Sequence, residues 1–142
     1  MFWKYKQKAV IPFLFIILAI TISDQFTSSF MKPFFERLRP CHDPSISDIV
    51  HVVDGCGGLY GFASSHASNS FALATLLFLF FRSEFKYASL LFVWAGLVAY
   101  SRIYVGVHFP GDIIIGGLIG YLVGLILFVI YSKIPPKYKL TV

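Results

Sequence analysis

Three short stretches of the chain gather the residue types that handle an anionic substrate. The third of them, Ser101-Arg102-Ile103-Tyr104-Val105-Gly106-Val107-His108-Phe109-Pro110-Gly111-Asp112, is the most informative. Pro110 suits the first position of a helix, which places Asp112 in the first turn and His108 just ahead of it. A carboxylate so placed can hydrogen-bond one imidazole nitrogen, fix the tautomer and leave the other nitrogen free as nucleophile or base. Arg102 brings a planar fork that can grip a phosphate through two bonds. Taken singly, Asp112 is also explained as a helix-dipole partner and Arg102 as an anchor for its helix.

The first stretch is Lys32-Pro33-Phe34-Phe35-Glu36-Arg37-Leu38-Arg39-Pro40. Lys32 and Arg39 stand seven residues apart, so a short helix opened by Pro33 and ended by Pro40 would carry both cations on one face, with Lys32 at its cap. Snorkelling of two interfacial anchors accounts for the same pair. The second stretch, Gly61-Phe62-Ala63-Ser64-Ser65-His66-Ala67-Ser68, sets small residues and one histidine directly before an apolar run. A helix start there exposes unpaired N–H groups and the positive end of a dipole, and Ser64 and Ser65 add donors. An ordinary serine N-cap explains the same residues without a ligand. Together, the cations Lys32, Arg39 and Arg102, the imidazoles of His66 and His108, the Asp112 carboxylate and the serines suit phosphoryl transfer from an ester or anhydride. No zinc or iron spacing is present, so neither a metal nor a cofactor is expected.

The elements that position these stretches follow from composition. Of 142 residues, 57% are hydrophobic and 13% charged, with a mean hydropathy of +0.75. Soluble domains carry about 25% charged residues. Half that density cannot dress a soluble globule, and it excludes a disordered tail or a disulfide-dense secreted mini-protein. Four apolar runs, roughly 9 to 30, 67 to 82, 87 to 105 and 112 to 132, compare with about 20 residues per membrane span. The second is short and must borrow Ser68, Asn69 and Ser70, or sit low with Arg82 snorkelling. The first follows lysines as a signal peptide would, yet lacks a small-residue cleavage site and is expected to be retained. No ten-residue alternation suggests a barrel. The expectation is one all-α domain, 1–142, an integral membrane bundle of about four transmembrane helices.

Lys4, Lys6, Lys8, Arg82, Lys86, Lys133, Lys137 and Lys139 fall on one side of that bundle. The positive-inside rule therefore puts the termini and the 82 to 86 turn in the cytoplasm and the segments 24 to 66 and 102 to 112 outside. The net charge of +5 belongs to a membrane surface, and no nucleic-acid partner is implied. Cys41 and Cys56 flank the outer loop and permit one disulfide in an oxidising compartment, two free thiols being the alternative. Such a bond would be worth about 3 kcal/mol in the chain-entropy picture. His42 and His51 are expected to be solvated, and Asp24, inside the first span, to partner a site cation.

In order and placement the three stretches resemble the signature of the type 2 phosphatidic acid phosphatase superfamily: K-x6-R-P, then P-S-G-H, then S-R-x5-H-x3-D. Lys32, Arg39 and Pro40 match the first block, and Ser101, Arg102, His108 and Asp112 match the third. In the second, Ser64 and His66 match while Ala63 and Ser65 replace proline and glycine. The resemblance implies the core of the acid phosphatase/vanadium haloperoxidase fold and a metal-independent hydrolase. In it His108 attacks phosphorus, Asp112 orients His108, His66 protonates the leaving oxygen, and Lys32, Arg39, Ser64 and Arg102 bind phosphoryl oxygens. Ser65 keeps the N–H donor but narrows the pocket. The implied substrate is a lipid phosphate or pyrophosphate, isoprenoid (undecaprenyl pyrophosphate, for example) or glycerolipid, met at the outer face of a bacterial cytoplasmic membrane. Membrane members usually have six spans and this chain has the equivalent of the last four. An N-terminal helix pair is thus expected to be missing, or a second copy to close the bundle as a homo-oligomer. The competing expectation is a non-catalytic scaffold or lipid-phosphate-binding fragment. Vanadate-dependent haloperoxidases share a similar signature but are typically soluble.

Overall fold

The computed structural model describes residues 2–53 and 55–136, with side chains from residue 9 onward. Lys137, Lys139 and the side chains of Lys4, Lys6 and Lys8 lie outside the described residues. Helix α1 (Phe2–Gln25) continues through a π-helical turn, Phe26–Met31, into the single turn α2 (Lys32–Phe35). Helices α3 (Ser65–Phe81), α4 (Leu90–Tyr104) and α5 (Pro110–Ser132) follow. Ala9–Phe35 and Pro110–Ser132 are long and apolar enough to cross a membrane, while α3 and α4 are apolar helices of 17 and 15 residues. Among the described residues there is no strand, only an isolated antiparallel bridge between Leu38 and Tyr60.

Two local expectations are corrected. Lys32 is not a cap: its backbone is helical (φ −61°, ψ −49°) and the rod runs through it. Nor do Lys32 and Arg39 share a helical face. The helix stops at Glu36, which takes the left-handed conformation (φ 46°), and Arg39 is extended (φ −70°, ψ 155°). Pro40 favours the extended backbone of Arg39, but it is the left-handed Glu36 that ends the helix, and Lys32 stays helical although it precedes Pro33. The freed backbone pairs elsewhere: Arg39 N–H donates to Leu59 O at 3.1 Å and Gly61 N–H to Arg37 O at 2.9 Å.

Packing is tightest along the seam between α3 and α5. Gly116, Gly120 and Gly124 recur every fourth residue on α5 and so share one face. Opposite them stand Ser64, Ser68, Ala72 and Thr75. Small residues on both helices let the backbones touch, which is how helices associate where lipid removes the hydrophobic drive. At the top of the seam Ser64 N–H donates to Asp112 O at 3.0 Å, so this packing also sets the start of α3 against the start of α5. Away from that end, Ala19, Ala72, Leu76, Phe80, Leu127 and Tyr131 form the apolar core, with the Phe80 and Tyr131 rings 4.9 Å apart. Large apolar side chains such as Phe13, Leu14, Ile17, Val93, Leu97, Ile114 and Ile126 face outward, the arrangement a lipid solvent favours.

A Cβ at Gly120 would land on the Ser68 carbonyl. Gly120→Leu is therefore expected to push α3 from α5 and cost about 1–3 kcal/mol or more. Gly96→Ala, where an added Cβ meets nothing within 4 Å, should be neutral. Thermal unfolding in detergent checks the pair; equal midpoints would mean that the seam does not hold the bundle.

Candidate active site

The chain brings the ends of α1/α2 and α4 and the starts of α3 and α5 to one end of the bundle, and the chemistry gathers there. Asp112, in the first turn of α5, is fully buried, and burial of a carboxylate demands compensation. Among the described residues it receives three donors. Phe109 N–H and His108 Nδ1 reach Oδ2 at 2.9 and 3.3 Å, and Arg37 Nη1 reaches Oδ1 at 3.0 Å. A carboxylate accepts, so this contact calls for the His108 proton on Nδ1, which leaves the lone pair on Nε2. His108, itself 3% exposed, lies in the loop between α4 and α5. Burial pushes its imidazole below the ordinary value of 6.5; the Asp112 hydrogen bond opposes this, and the charges of Arg39 and Lys32 add to it.

The loop reaches that position through Gly106, whose φ of +75° suits glycine and which ends α4 against the outer loop. A Cβ there would meet Val50 Cγ1 at 2.7 Å and His51 O at 2.8 Å. Gly61 serves a different need. It lies between Arg39 and Asp112, where an added Cβ would come within 3.2 Å of Arg39 Cγ and 3.3 Å of Asp112 Oδ2.

His108 opens onto a cavity of about 290 Å³ that is also lined by Arg39, His66, Arg102, Val105, Val107 and the loop Gly55–Gly57. Arg102 is turned by its neighbour: its Nε donates to Ser101 Oγ at 3.2 Å, while Ser101 Oγ donates to Val98 O at 2.7 Å. Arg39 Nε is buried with no hydrogen-bond partner among the described residues, a free donor at the cavity. The charges of Arg102, Lys32 and Arg39 and the His108 ring all act on His66, which is exposed at the cavity mouth. This lining offers a tetrahedral oxyanion two guanidinium groups and two imidazoles.

Lys32, Ser64 and Ser65 stand behind the lining. Ser64 is fully buried, its N–H spent on Asp112 O and its hydroxyl turned to Ala67 N–H at 3.5 Å as the N-cap of α3. The Ser65 hydroxyl accepts from Lys32 Nζ and Thr27 Oγ1, both at 3.0 Å, and contacts Ser28 Oγ at 2.8 Å. The π-helical turn of α1 thus meets α3 at the serine that stands where the family signature has glycine. What α3 still offers an anion is the pair of first-turn N–H groups on Ser65 and His66, which have no acceptor within the helix. Asp24 accepts from Asn69 Nδ2 at 3.2 Å and lies in the field of Lys32.

Cys41 and Cys56 are joined in a disulfide with a Cα–Cα distance of 5.9 Å. It ties the turn after Arg39 to the loop that walls the cavity. Cys41, His42 and Cys56 lie close enough to share an ion, but both sulfurs are in the disulfide, which leaves no thiolate to bind one. Arg37 was not a candidate on sequence grounds, because it is the fold that carries its guanidinium to Asp112.

The chain is similar to several known proteins. Lipid A 4'-phosphatase of Porphyromonas gingivalis is 43% identical over 136 residues, covering 92% of this chain and 57% of that protein. The lipid A 4'-phosphatase of Bacteroides thetaiotaomicron is 40% identical over 139 residues, 96% of this chain and 60% of that one. Phosphatidylglycerophosphatase B of Bacillus subtilis is 26% identical over 132 residues, with coverages of 87% and 59%. The chain thus spans 57–60% of the length of these relatives. A crystal structure described as the first transmembrane PAP2 type phosphatidylglycerolphosphate phosphatase, from Bacillus subtilis, shares the fold with a TM-score of 0.65 at 23% identity, over 87% of this chain and 60% of that one. Its helices and the two apolar rods here agree on an integral membrane bundle. A family model for the PAP2 superfamily matches residues 13–136, a stretch that holds every side chain of the cavity, and the chain belongs to that superfamily.

Proposed function

We propose that this chain hydrolyses a lipid phosphate or pyrophosphate without a metal, through a phosphohistidine on His108, at the outer face of a bacterial cytoplasmic membrane. The observation that carries the reading is the buried Asp112–His108 pair opening onto a cavity lined by two arginines and a second histidine. His108 Nε2 attacks phosphorus. Arg39, Arg102 and the first-turn N–H groups of α3 hold the phosphoryl oxygens, Lys32 adds positive potential, and the leaving oxygen takes a proton from His66. Water, deprotonated by His66, then cleaves the P–N bond and releases phosphate. The resident face is argued from the distribution of lysine and arginine and from the disulfide, which belongs to an oxidising compartment. The relatives named above act on lipid phosphates, and the apolar exterior lets a lipid keep its tail in hydrocarbon while its head enters the cavity.

The test is phosphate release by the purified chain in detergent with chelator present, against lipid A, phosphatidylglycerol phosphate, undecaprenyl pyrophosphate and a soluble phosphate ester. Release from at least one lipid supports the reading. Binding without turnover across the panel favours the scaffold alternative, and loss of release with chelator removes the metal-free mechanism.

A pH dependence follows with a definite sign. His108 attacks only when neutral, and burial lowers its proton affinity, so activity should persist below pH 6.5 and fall on the acid side at a midpoint under that value. The basic limb should belong to His66 and disappear in His66→Asn, whose residual rate should be flat there. The pH profile of kcat/KM together with an NMR titration of the His108 ring checks this; a ring midpoint above 6.5 would reverse the assignment.

A further inference from the structure

Arg37 lies outside the cavity lining, yet it supplies one of the three donors to the buried carboxylate behind the nucleophile. Its side chain is 43% exposed while that of Asp112 is fully buried, so the pair is half in solvent and half in the core. The guanidinium is held by more than charge: it lies 4.5 Å from the centre of the Phe109 ring and 5.9 Å from that of Phe62. Gly111 lies alongside: a Cβ there would make an ordinary contact with Arg37 Nη1 at 3.6 Å. The backbone bond from Gly61 N–H to Arg37 O fixes the segment from which it reaches.

The two other donors to Asp112 are a backbone N–H and the imidazole it serves, so Arg37 is, among the described residues, the one permanent cation bonded to that carboxylate. We propose that Arg37 is a positioning residue for phosphoryl transfer, clamping Asp112 between its guanidinium and the His108 ring so that Nδ1 stays protonated and Nε2 stays free. It touches no substrate and acts only through Asp112. This inference rests on the reading of His108 as nucleophile. The charged and titratable groups around the pair are Arg37, Arg39, Lys32 and His66, with Arg102 across the cavity, and the substitution below changes the first alone.

Arg37→Gln should lower kcat by about tenfold or more, the usual effect of losing a partner that orients a reacting group. KM should change little, since the cavity lining is intact. The acid limb of kcat/KM should move to higher pH, because removing a cation from the Asp112–His108 pair favours the imidazolium. Arg37→Lys, which keeps the charge but loses the planar stacking, should keep the wild-type limb and recover part of kcat. Phe109→Leu, which removes the ring beneath the guanidinium, should shift both quantities the same way by less and serves if Arg37→Gln fails to fold.

Nitrogen-15 NMR of histidine in the full chain in detergent gives a readout independent of turnover. The wild-type His108 ring should report the Nδ1-protonated tautomer, and Arg37→Gln a mixture. An unaltered ring signal in Arg37→Gln overturns the inference whatever the activity, as does a kcat within twofold of wild type or a joint change of kcat and KM with a stationary acid limb. If the wild-type chain releases no phosphate, or His108→Ala remains active, the nucleophile reading has failed, and the ring signal alone decides the role of Arg37.

Discussion

His108→Ala is expected to abolish phosphate release and the covalent phosphoenzyme together, a loss of about 10⁵–10⁶ in kcat if a covalent nucleophile behaves here as in other enzymes. The reason is local. Among the groups that line the cavity, His108 is the one imidazole backed by a buried carboxylate, and that support selects which ring nitrogen keeps its lone pair. His66 stands at the exposed mouth and is placed to move protons. Substrate binding should survive the change, since Arg39 and Arg102 remain at the cavity. Rapid quench into base, which preserves phosphohistidine, measures the intermediate, and a lipid-phosphate binding assay measures the rest. Retention of the phosphoenzyme in His108→Ala would transfer the nucleophile to His66.

The second large effect is expected from Asp112→Asn. The amide is nearly isosteric, but it turns an NH₂ group toward one of two donors, Arg37 Nη1 on one side or His108 Nδ1 and Phe109 N–H on the other. One orientation sets donor against donor at Arg37. The other accommodates His108 only by moving its proton to Nε2, which removes the lone pair that attacks. The same substitution in a histidine–aspartate pair of other hydrolases costs about 10⁴ in kcat through the wrong tautomer, and a loss of roughly 10³–10⁴ is expected here. Because the site is fully buried, a mismatched donor should also cost about 1–3 kcal/mol of stability. Activity and thermal unfolding of the same preparation separate the two effects. A variant that keeps more than a tenth of wild-type activity would reduce Asp112 to a helix-start residue that favours the dipole, the simpler explanation its position also allows.

Much of the bundle was legible in the chain because helix formation in an apolar medium depends on local sequence. Length and hydropathy located the segments, Pro110 marked the start of α5, and the serine-rich stretch 61–68 marked the approach to α3, which begins at Ser65, two residues ahead of the apolar run. Boundaries failed where a neighbouring segment decided the conformation. The first helix runs to Phe35, beyond the apolar stretch, because a π-helical turn rotates Thr27, Ser28 and Lys32 onto Ser65, a contact no local propensity encodes. The heptad spacing of Lys32 and Arg39 suggested one helical face, while Pro40 and the pairing with Leu59 made the second residue extended. The glycine repeat at 116, 120 and 124 is visible in the sequence, but its meaning depended on the small residues that α3 presents to it.

The site divides in the same way. Residue types and their order alone identified Lys32, Ser64, Ser65, His66, Arg39, Arg102, His108 and Asp112 as candidates, since phosphoryl chemistry needs cations, a nucleophile and its orienting carboxylate. Only the tertiary structure separated those that line the cavity from those that stand behind it, and only it put Arg37 on Asp112 across 75 residues of chain. The physical reason is that a buried carboxylate takes whichever donors the packed helices deliver. That delivery is set by the depth at which α3 and α5 meet and by a two-residue bridge between distant loops, neither of which is a property of any local stretch.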